Sequence, residues 1–508
     1  MNRMSLKDVG LAVLSGLMLT VSFAPINLDW IVWISLIPLL LSLRDKSSAI
    51  AFQLGLIAGL SHYLTLIYWI VVVLSYYGNL HPILTLGALL LLCLYLALYS
   101  ALFALIWNSF KKDRLSCFWG AVVWVALEYV RSHVMTGFPW CLLGYTQYLR
   151  LPLIQISDIA GVYGISFVIV LVNLILFNTV LGARTKKKKS ATLEIILTSF
   201  LVGFILIYGF HRVKVKAEMS SHGKGIRVVI VQGNIDQSVK WNPEFQEKTV
   251  ALYTNLSVES GGFRPHLIIW PETAVPFYFQ DSSPLSKEVS RLPKKTSSKL
   301  LFGSPAYIRD KNRIQYYNRA YVISEDRVFD YYDKVHLVPF GEYVPLKRYL
   351  PFIRRLVPAS GDFSPGQNPK PIGTPDLQIG VIICFEAIFP DISRNHATHG
   401  AQLLVNLTND AWFGRTSAPY QHLSMAVLRC VENGLPMARA ANTGISAIIL
   451  ASGEIVSESE LFATEVLQKE LNLNQTKTFY SQFGNVFAIL LCAIMILRLF
   501  WRLGRKRR

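Results

Sequence analysis

Acidic residues are scarce in this sequence, where 32 Asp and Glu stand against 50 Lys and Arg and leave a formal net charge of +18 over 508 residues. A basic excess of this size is a common footprint of nucleic-acid binding. Here, however, the basic residues lie in short clusters between long apolar runs, and the chain is 52% hydrophobic and only 16% charged. That composition argues against an ordinary soluble enzyme, and the clustering argues against a nucleic-acid partner.

Cysteine is rare as well, since the chain has only six. Only Cys384 and Cys430 lie in the polar part of the chain, so a disulfide framework is not indicated. Two catalytic motifs are absent, the GxSxG of serine hydrolases and the HExxH of zinc peptidases. The histidines of "HATH" (396–399) have helical spacing but no evident third ligand, so we expect neither a metal nor a cofactor.

Long apolar runs fill the first 211 residues and recur once near the C-terminus. Runs of about 20 apolar residues can cross a bilayer as helices. The sequence therefore predicts a polytopic α-helical membrane domain over 1–211, a globular domain over 212–480, and a last span with a basic tail over 481–508. The eight candidate spans are about 9–25, 28–43, 49–74, 82–107, 115–131, 164–182, 191–211 and 483–501.

The basic clusters all fall on one side of these spans. They lie before the first span, in every second loop, and after the last span. The opposite loops at 26–29 and 75–81 have no Lys or Arg, and the 132–163 loop has only Arg150. Because basic residues mark the cytoplasmic side of membrane proteins, we expect both termini to be cytoplasmic and 212–480 to be extracytoplasmic.

The polar region 212–480 has the pattern of an α/β domain, in which apolar strand-like runs alternate with helical segments. Polar residues close several of these runs, and functional groups often gather at strand ends in such folds. They are Glu272, Lys334, Cys384 and the group Asn406, Asn409 and Asp410. The predicted strands are 225–235, 266–273, 299–308, 317–324, 327–335, 377–384, 401–410 and 445–452, and the predicted helices are 241–260, 283–294, 386–398 and 420–434.

Cys384 has two interpretations. In "VIICFEAIFP" (381–390) it ends a run of β-branched residues, where most cysteines are small packing residues. A thiol becomes a nucleophile when a base lies beside it, and a lysine can stabilise the oxyanion that follows. Glu272 and Lys334 suit these two roles, although each alone is an ordinary turn or surface residue.

The local contexts of these three residues together resemble the nitrilase superfamily. The matching stretches are "WPETAVP" (270–276), "YDKVHLVPFGEYVP" (332–345), "ICFEAIFP" (383–390) and "NLTNDAWFG" (406–414). The resemblance implies an αββα sandwich with a Glu-Lys-Cys triad in the globular domain.

With the membrane spans added, the whole chain is similar to the apolipoprotein N-acyltransferase family of the bacterial inner membrane. Three further stretches carry this resemblance: "TGFPW" (136–140), "VQGNIDQSVKW" (231–241) and "FYSQFGN" (479–485). It implies transfer of an acyl chain from a phospholipid to the α-amino group of a diacylated lipoprotein, through a thioester on Cys384. It also implies a multi-pass protein whose catalytic domain lies in the periplasm.

The same resemblance assigns site residues. Glu272 would be the general base, Lys334 the cation that stabilises the oxyanion, and Cys384 the nucleophile. The further site residues would be Glu342 beside the base, Glu386 in support, and Trp241, Phe385, Asn409, Trp412 and Trp140 around the acyl and acceptor pockets. Family members often carry tyrosine after the nucleophile, so at Phe385 any hydrogen bond from that hydroxyl is absent.

Other interpretations stay open at this point. A membrane-anchored amidase using water would have the same triad, and a transporter or lipid-binding scaffold could retain a degenerate outer domain. The apolar segments 275–279 and 349–358 could enter the membrane surface or pack on their own domain. Glu128 could be a functional carboxylate or the partner of Arg131 in a structural ion pair.

Overall fold

The structure is a computed structural model that describes residues 3–111, 113, 115–182, 188–221, 224–310, 313–325, 327–344, 362–367, 369–473 and 477–506. The chain divides into two compact units. The first, named here the helical unit, comprises Met1–Val71, His81–Arg212 and Phe483–Arg508. The second, named here the sandwich unit, comprises Val72–Leu80 and Val213–Gln482.

The helical unit consists mainly of helices, and side chains cap the N-termini of some of them. Ser5 and Asp8 form a reciprocal capping box at the start of the first helix. Gly161, at φ 62° and ψ −172°, interrupts a later helix, so its regular part begins close to the predicted span start at 164. The helices are Leu6–Val21, Ile37–Ser42, Ser48–Leu66, Pro82–Phe110, Ser116–Arg131, Leu151–Ile154, Ser157–Gly182, Lys188–Ser221 and Val486–Lys506.

By length and composition, four helices within the described residues could cross a membrane: Ser48–Leu66, Pro82–Phe110, Ser157–Thr179 and Thr192–Met219. They coincide with the third, fourth, sixth and seventh predicted spans. In an apolar 18-residue window of Ser157–Thr179, 78% of the window is buried inside the protein, whereas only 17% is buried in that of Thr192–Met219, which exposes large apolar side chains. An exposed apolar face of this length suits a lipid environment, and we conclude that this is a membrane protein.

Two six-stranded sheets form the sandwich unit. The strands are β1 Lys224–Gln232, β2 Leu267–Ile269, β3 Lys299–Asp310, β4 Arg313–Ser324, β5 Arg327–Asp333, β6 Ile372–Thr374, β7 Leu377–Ile383, β8 Leu403–Thr408, β9 Met437–Ala441, β10 Ala447–Ile449, β11 Ile455–Glu458 and β12 Glu465–Leu473. The first sheet has the order β12-β1-β2-β3-β4-β5 and the second the order β11-β10-β9-β8-β7-β6. The central pairs β1–β2, β2–β3, β7–β8 and β8–β9 are parallel, and the outer pairs are antiparallel.

Alternate residues of the central strands pack on opposite sides of each sheet. In β1, Val228 and Ile230 join the core between the two sheets, while Val229 and Val231 join a second core under the helices. Helices Pro243–Glu259 and Pro284–Thr296 cover the first sheet, and Pro390–Thr398 and Ala418–Asn433 lie on the side of the second. The predicted αββα sandwich is confirmed.

Each predicted strand overlaps an observed one, but four observed strands were not predicted. They are β6, β9, β11 and β12, which are short or carry charged residues and alanines instead of a β-branched run. Their pairing with neighbouring strands overrides a weak local preference. The predicted helix 386–398 is in fact a 3₁₀ turn, Cys384–Ile388, followed by the helix Pro390–Thr398. The break falls at Phe389 because a residue before proline is driven out of the helical region.

Gly303 of β3 provides a test of this packing. A Cβ at this position would lie 2.5 Å from the backbone nitrogen of Thr273 and 2.8 Å from Cα of Glu272. Gly303→Ala should therefore destabilise the protein by about 1–3 kcal/mol, the usual effect of overpacking a core. Thermal unfolding of the purified protein measures this change. Gly261→Ala is the matched control, since a Cβ there meets nothing within 4 Å, and equal melting temperatures for the two variants would contradict the packing.

Candidate active site

Three predicted residues follow strands whose carboxyl ends meet at one edge of the sandwich. Glu272 comes three residues after β2, Lys334 directly after β5, and Cys384 directly after β7. Lys334 is 1% exposed, and its Nζ lies 3.7 Å from Oε1 of Glu272. The structure thus brings the carboxylate and the ammonium together in a buried place.

A second carboxylate completes this group. Nζ of Lys334 donates to Oε1 of Glu342 at 3.0 Å and lies 2.9 Å from its Oε2. Nδ2 of Asn318 donates to Oε1 of Glu272 at 2.7 Å and to Oε1 of Glu342 at 2.9 Å. The backbone N–H of Val338 donates to the other oxygen of Glu342 at 2.9 Å. The two glutamates are therefore held side by side by a cation and an amide.

The charges of this group act on the thiol. Burial raises the pKa of Cys384, and the negative charge of Glu272 raises it further, whereas Lys334 acts in the opposite direction. Burial alone would lower the pKa of Lys334, but Glu342 and Glu272 raise it above its ordinary value. At neutral pH the site consequently holds an ammonium ion and a protonated thiol, which becomes a thiolate only when a base takes its proton.

Cys384 has a backbone conformation that non-glycine residues rarely adopt. Its φ is +51°, in the left-handed region, where β7 turns into the 3₁₀ turn Cys384–Ile388. Such a residue is strained by roughly 1–2 kcal/mol and persists only where its surroundings hold it.

The buried carboxylate of Glu386 stabilises this turn by accepting hydrogen bonds. Its carboxylate accepts from the N–H groups of Ile383 at 2.7 Å, Val335 at 2.7 Å and His336 at 3.1 Å, and from the hydroxyl of Tyr332 at 3.0 Å. Glu386 is fully buried, and burial raises its pKa to about 7, although Lys334 and the backbone donors act to lower it. This one side chain connects the turn at Cys384 to the segment that follows Lys334.

The remaining predicted site residues lie in different surroundings. Phe385 contacts Phe389 and His336 through its ring, and Trp241 is half exposed. Nδ2 of Asn409 donates to Gln237 at 2.7 Å. Trp412 is partly exposed, and its ring centroid lies 5.6 Å from that of Tyr77. Trp140 belongs to the helical unit, where it is buried against Trp69.

Burial and contacts bear on the interpretations that the sequence left open. Val275 and Phe279 pack into the core under the helices, so 275–279 packs on its own domain, while 349–358 lies outside the described residues. Cys430 is fully buried. Oε1 of Glu128 accepts from the N–H of Leu143 at 2.8 Å. No group of three His, Cys, Asp or Glu in the described part of the chain could hold a metal.

Two residues of the site were not found from the sequence. Asn318 lies inside β4, where nothing in the local pattern distinguishes it from other polar strand residues. Lys240 lies in the quoted stretch 231–241, is 1% exposed, and donates to the backbone oxygen of Glu272 at 3.2 Å. Burial lowers the pKa of Lys240 to about 8, against the attraction of Glu272. Lys240 lies in the connection between β1 and the helix Pro243–Glu259, where the local pattern gives no signal of this contact.

Comparison with known proteins identifies the family. Residues 15–175 match the apolipoprotein N-acyltransferase N-terminal domain, and residues 227–480 match the carbon-nitrogen hydrolase domain. The apolipoprotein N-acyltransferase of Geobacter metallireducens is 44% identical over 95% of this chain and 92% of its own. The chain belongs to the apolipoprotein N-acyltransferase family. Another member, from Haemophilus influenzae, is 32% identical over 94% of this chain and 91% of its own.

Membership in this family makes the chain an acyltransferase with a nitrilase-like domain. Among solved structures, an amidase from Nesterenkonia sp. matches 49% of this chain and 92% of its own, with 20% identity and a TM-score of 0.38.

Glu386→Gln tests the hydrogen bonds that connect the turn at Cys384 to the segment after Lys334. Both oxygens of the Glu386 carboxylate accept from backbone N–H groups. A carboxamide has only one acceptor oxygen, so the NH₂ group of Gln would face one of these N–H groups and leave it without an acceptor. We expect a loss of about 1–3 kcal/mol of unfolding free energy, the effect of leaving a buried donor unpaired. Thermal unfolding at pH 8, above the raised pKa of Glu386, measures it. Glu247→Gln, at an exposed helical position, is the control. An unchanged melting temperature for both variants would show that the hydrogen bonds of Glu386 do not stabilise the protein.

Proposed function

We propose that this chain transfers an acyl chain from a phospholipid to the N-terminal α-amino group of a diacylglyceryl-cysteine lipoprotein, through a thioester on Cys384. The observation that supports the proposal most strongly is the buried group of Glu272, Lys334 and Glu342 at the strand edge that also carries Cys384. The relatives are named apolipoprotein N-acyltransferases, which supports a lipoprotein acceptor.

In the first half-reaction Glu272 takes the proton of the thiol, and Sγ of Cys384 attacks the ester carbonyl carbon of the phospholipid. The negative charge that develops on the carbonyl oxygen is stabilised by the Lys334 ammonium and by the backbone N–H of Phe385. The tetrahedral intermediate collapses by breaking the ester C–O bond, and Glu272 returns the proton to the departing alkoxide. A lysophospholipid leaves, and the acyl chain stays on Cys384 as a thioester.

In the second half-reaction the α-amino group of the lipoprotein attacks the thioester. It must be neutral to do so, and an α-amino group with a pKa near ~8 is partly neutral at physiological pH. Glu272 accepts the proton that the amine loses, the C–S bond breaks, and Glu272 passes this proton to the departing thiolate of Cys384. Exclusion of water keeps the thioester for the amine, because hydrolysis would release a free fatty acid instead.

The basic clusters of the sequence support a defined membrane arrangement. We propose eight spans, domain limits at 1–211, 212–480 and 481–508, both termini in the cytoplasm, and a periplasmic catalytic domain in the bacterial inner membrane. In this arrangement a lipid donor and a lipid-anchored acceptor both reach the site from the bilayer.

Reporter fusions test the arrangement. A fusion after Lys187 should give fluorescence from a protein that folds only in the cytoplasm, because this loop is rich in lysine. A fusion after Ser220 should give active alkaline phosphatase, which folds only outside. Each reporter is placed at both positions as the control. Cytoplasmic signals at both positions would contradict a periplasmic catalytic domain.

Detection of an acyl thioester on Cys384 tests the proposed mechanism most directly. Purified protein incubated with phospholipid vesicles and no acceptor should carry one acyl group on the peptide with Cys384. Neutral hydroxylamine should release it, because a thioester reacts with this reagent far more readily than an ester or an amide. Adding a diacylated peptide with a free N-terminal amine should move the acyl group to that amine, as mass spectrometry of both species would measure.

Three matched variants control this experiment. Cys430→Ala should acylate normally, because Cys430 lies in the core. Cys384→Ala should form no adduct, and full transfer by this variant would exclude Cys384 as the nucleophile. Glu272→Gln should acylate about 10²–10⁴-fold more slowly, the effect of removing a general base. Release of free fatty acid with no transfer to the peptide would favour the amidase-like use of water.

A further inference from the structure

A buried histidine contacts the backbone of the nucleophile. Nε2 of His422 lies 3.1 Å from the carbonyl oxygen of Cys384. His422 is fully buried in the helix Ala418–Asn433, 38 residues further along the chain. None of the steps proposed above uses this residue.

The partners of the ring determine its protonation. A carbonyl oxygen can only accept a hydrogen bond, so Nε2 of His422 must carry the hydrogen. The other nitrogen, Nδ1, lies 3.1 Å from Nη2 of Arg439 and 3.1 Å from Oδ1 of Asp410. Burial and the charge of Arg439 lower the pKa of His422, although Asp410 opposes this shift. The ring is therefore neutral, donates from Nε2, and accepts at Nδ1 from the guanidinium.

The rest of this network holds the ring in place. Nη2 of Arg439 donates to Oδ2 of Asp410 at 2.6 Å, and the hydroxyl of Thr408 donates to Oδ1 at 2.9 Å. Arg439 also contacts the amide oxygen of Asn406. Asp410 and Arg439 are each at most 1% exposed. Hydrogen bonds in such a buried network are stronger than in water, and they fix the position of the ring.

Because the peptide bond is planar, the contact of His422 with the Cys384 carbonyl oxygen also affects the N–H of Phe385. In a trans peptide the C=O of Cys384 and the N–H of Phe385 lie in one plane and point in opposite directions. Whatever fixes the carbonyl oxygen therefore also aims the N–H. Cys384 has a strained φ of +51°, so its own conformational preference does not hold this plane. Rotation of the plane would turn an acceptor oxygen, instead of a donor, toward the developing oxyanion.

We infer that His422 is a positioning residue for the oxyanion site, which aims the Phe385 N–H by holding the carbonyl oxygen of Cys384. This inference rests on the proposed function, because it concerns the donor that stabilises the acylation transition state. His422 itself does not touch the substrate, since its Nε2 faces the carbonyl oxygen of Cys384 and its Nδ1 faces the guanidinium of Arg439.

Substitution of His422 by Gln or by Asn distinguishes the roles of its two ring nitrogens. The carboxamide nitrogen of Gln can occupy the place of Nε2, whereas that of Asn occupies the place of Nδ1. His422→Gln should therefore keep the hydrogen bond to the Cys384 carbonyl, and His422→Asn should lose it. His422→Leu removes both ends.

Two rates are measured on the full-length protein in lipid nanodiscs. The first is acylation of Cys384 by phospholipid, which needs the oxyanion donors. The second is alkylation of Cys384 by iodoacetamide, which needs a thiolate but forms no oxyanion. Because His422 is neutral, its loss leaves the charges around the thiol unchanged, and alkylation should stay at the wild-type rate in all three variants.

Acylation should fall by about 10²-fold in the Leu and Asn variants, the lower end of the effect of losing one oxyanion donor, and should stay near wild type in the Gln variant. Equal acylation by the Gln and Asn variants would overturn the inference. So would a parallel fall of alkylation and acylation, which would indicate general damage to the turn. Absence of any acyl group on Cys384 in the wild-type protein would instead refute the proposed function.

Discussion

The buried ammonium of Lys334 is the charge around which the site is organised. A lone ion removed from water is destabilised by several kcal/mol, so it needs partners of opposite charge and further hydrogen bonds. Glu342 contacts it at 2.9 Å and Glu272 at 3.7 Å. Two carboxylates side by side would repel one another without this cation. The three side chains are thus mutually dependent, and the arrangement that stabilises them also presents a positive charge beside a thiol.

This charge balance explains why the thiol needs a base. Burial and the nearby carboxylate favour the protonated form of Cys384, while Lys334 favours the thiolate. Under the proposed function Glu272 accepts this proton, and it is held by Asn318 at 2.7 Å and, through its backbone oxygen, by Lys240 at 3.2 Å. Unlike a permanently ionised cysteine, such a thiol is protected from unwanted reactions in the resting enzyme.

The strained turn at Cys384 is held by side chains from two directions. Glu386 accepts from the N–H of Ile383 before it, and His422 contacts the carbonyl oxygen of Cys384 itself. Backbone strain persists when the surroundings define the conformation more strongly than local preference does. The sandwich supplies those surroundings, because β5 and β7 belong to different sheets and Glu386 joins their ends.

The sequence by itself determined the apolar helices, most strands of the sandwich, and the three strand-end residues Glu272, Lys334 and Cys384. These depend on local periodicity and on polar residues at the ends of apolar runs, which are visible without knowing the fold. Which atoms meet was decided only by the tertiary structure. Asn318 reaches Glu272 across 46 residues and His422 reaches Cys384 across 38. The sequence suggested only a supporting role for Glu386, whereas the structure shows which backbone N–H groups its carboxylate accepts from. A local pattern tells which face of an element is buried, but hydrogen bonds between distant elements depend on how the sheets and helices pack together.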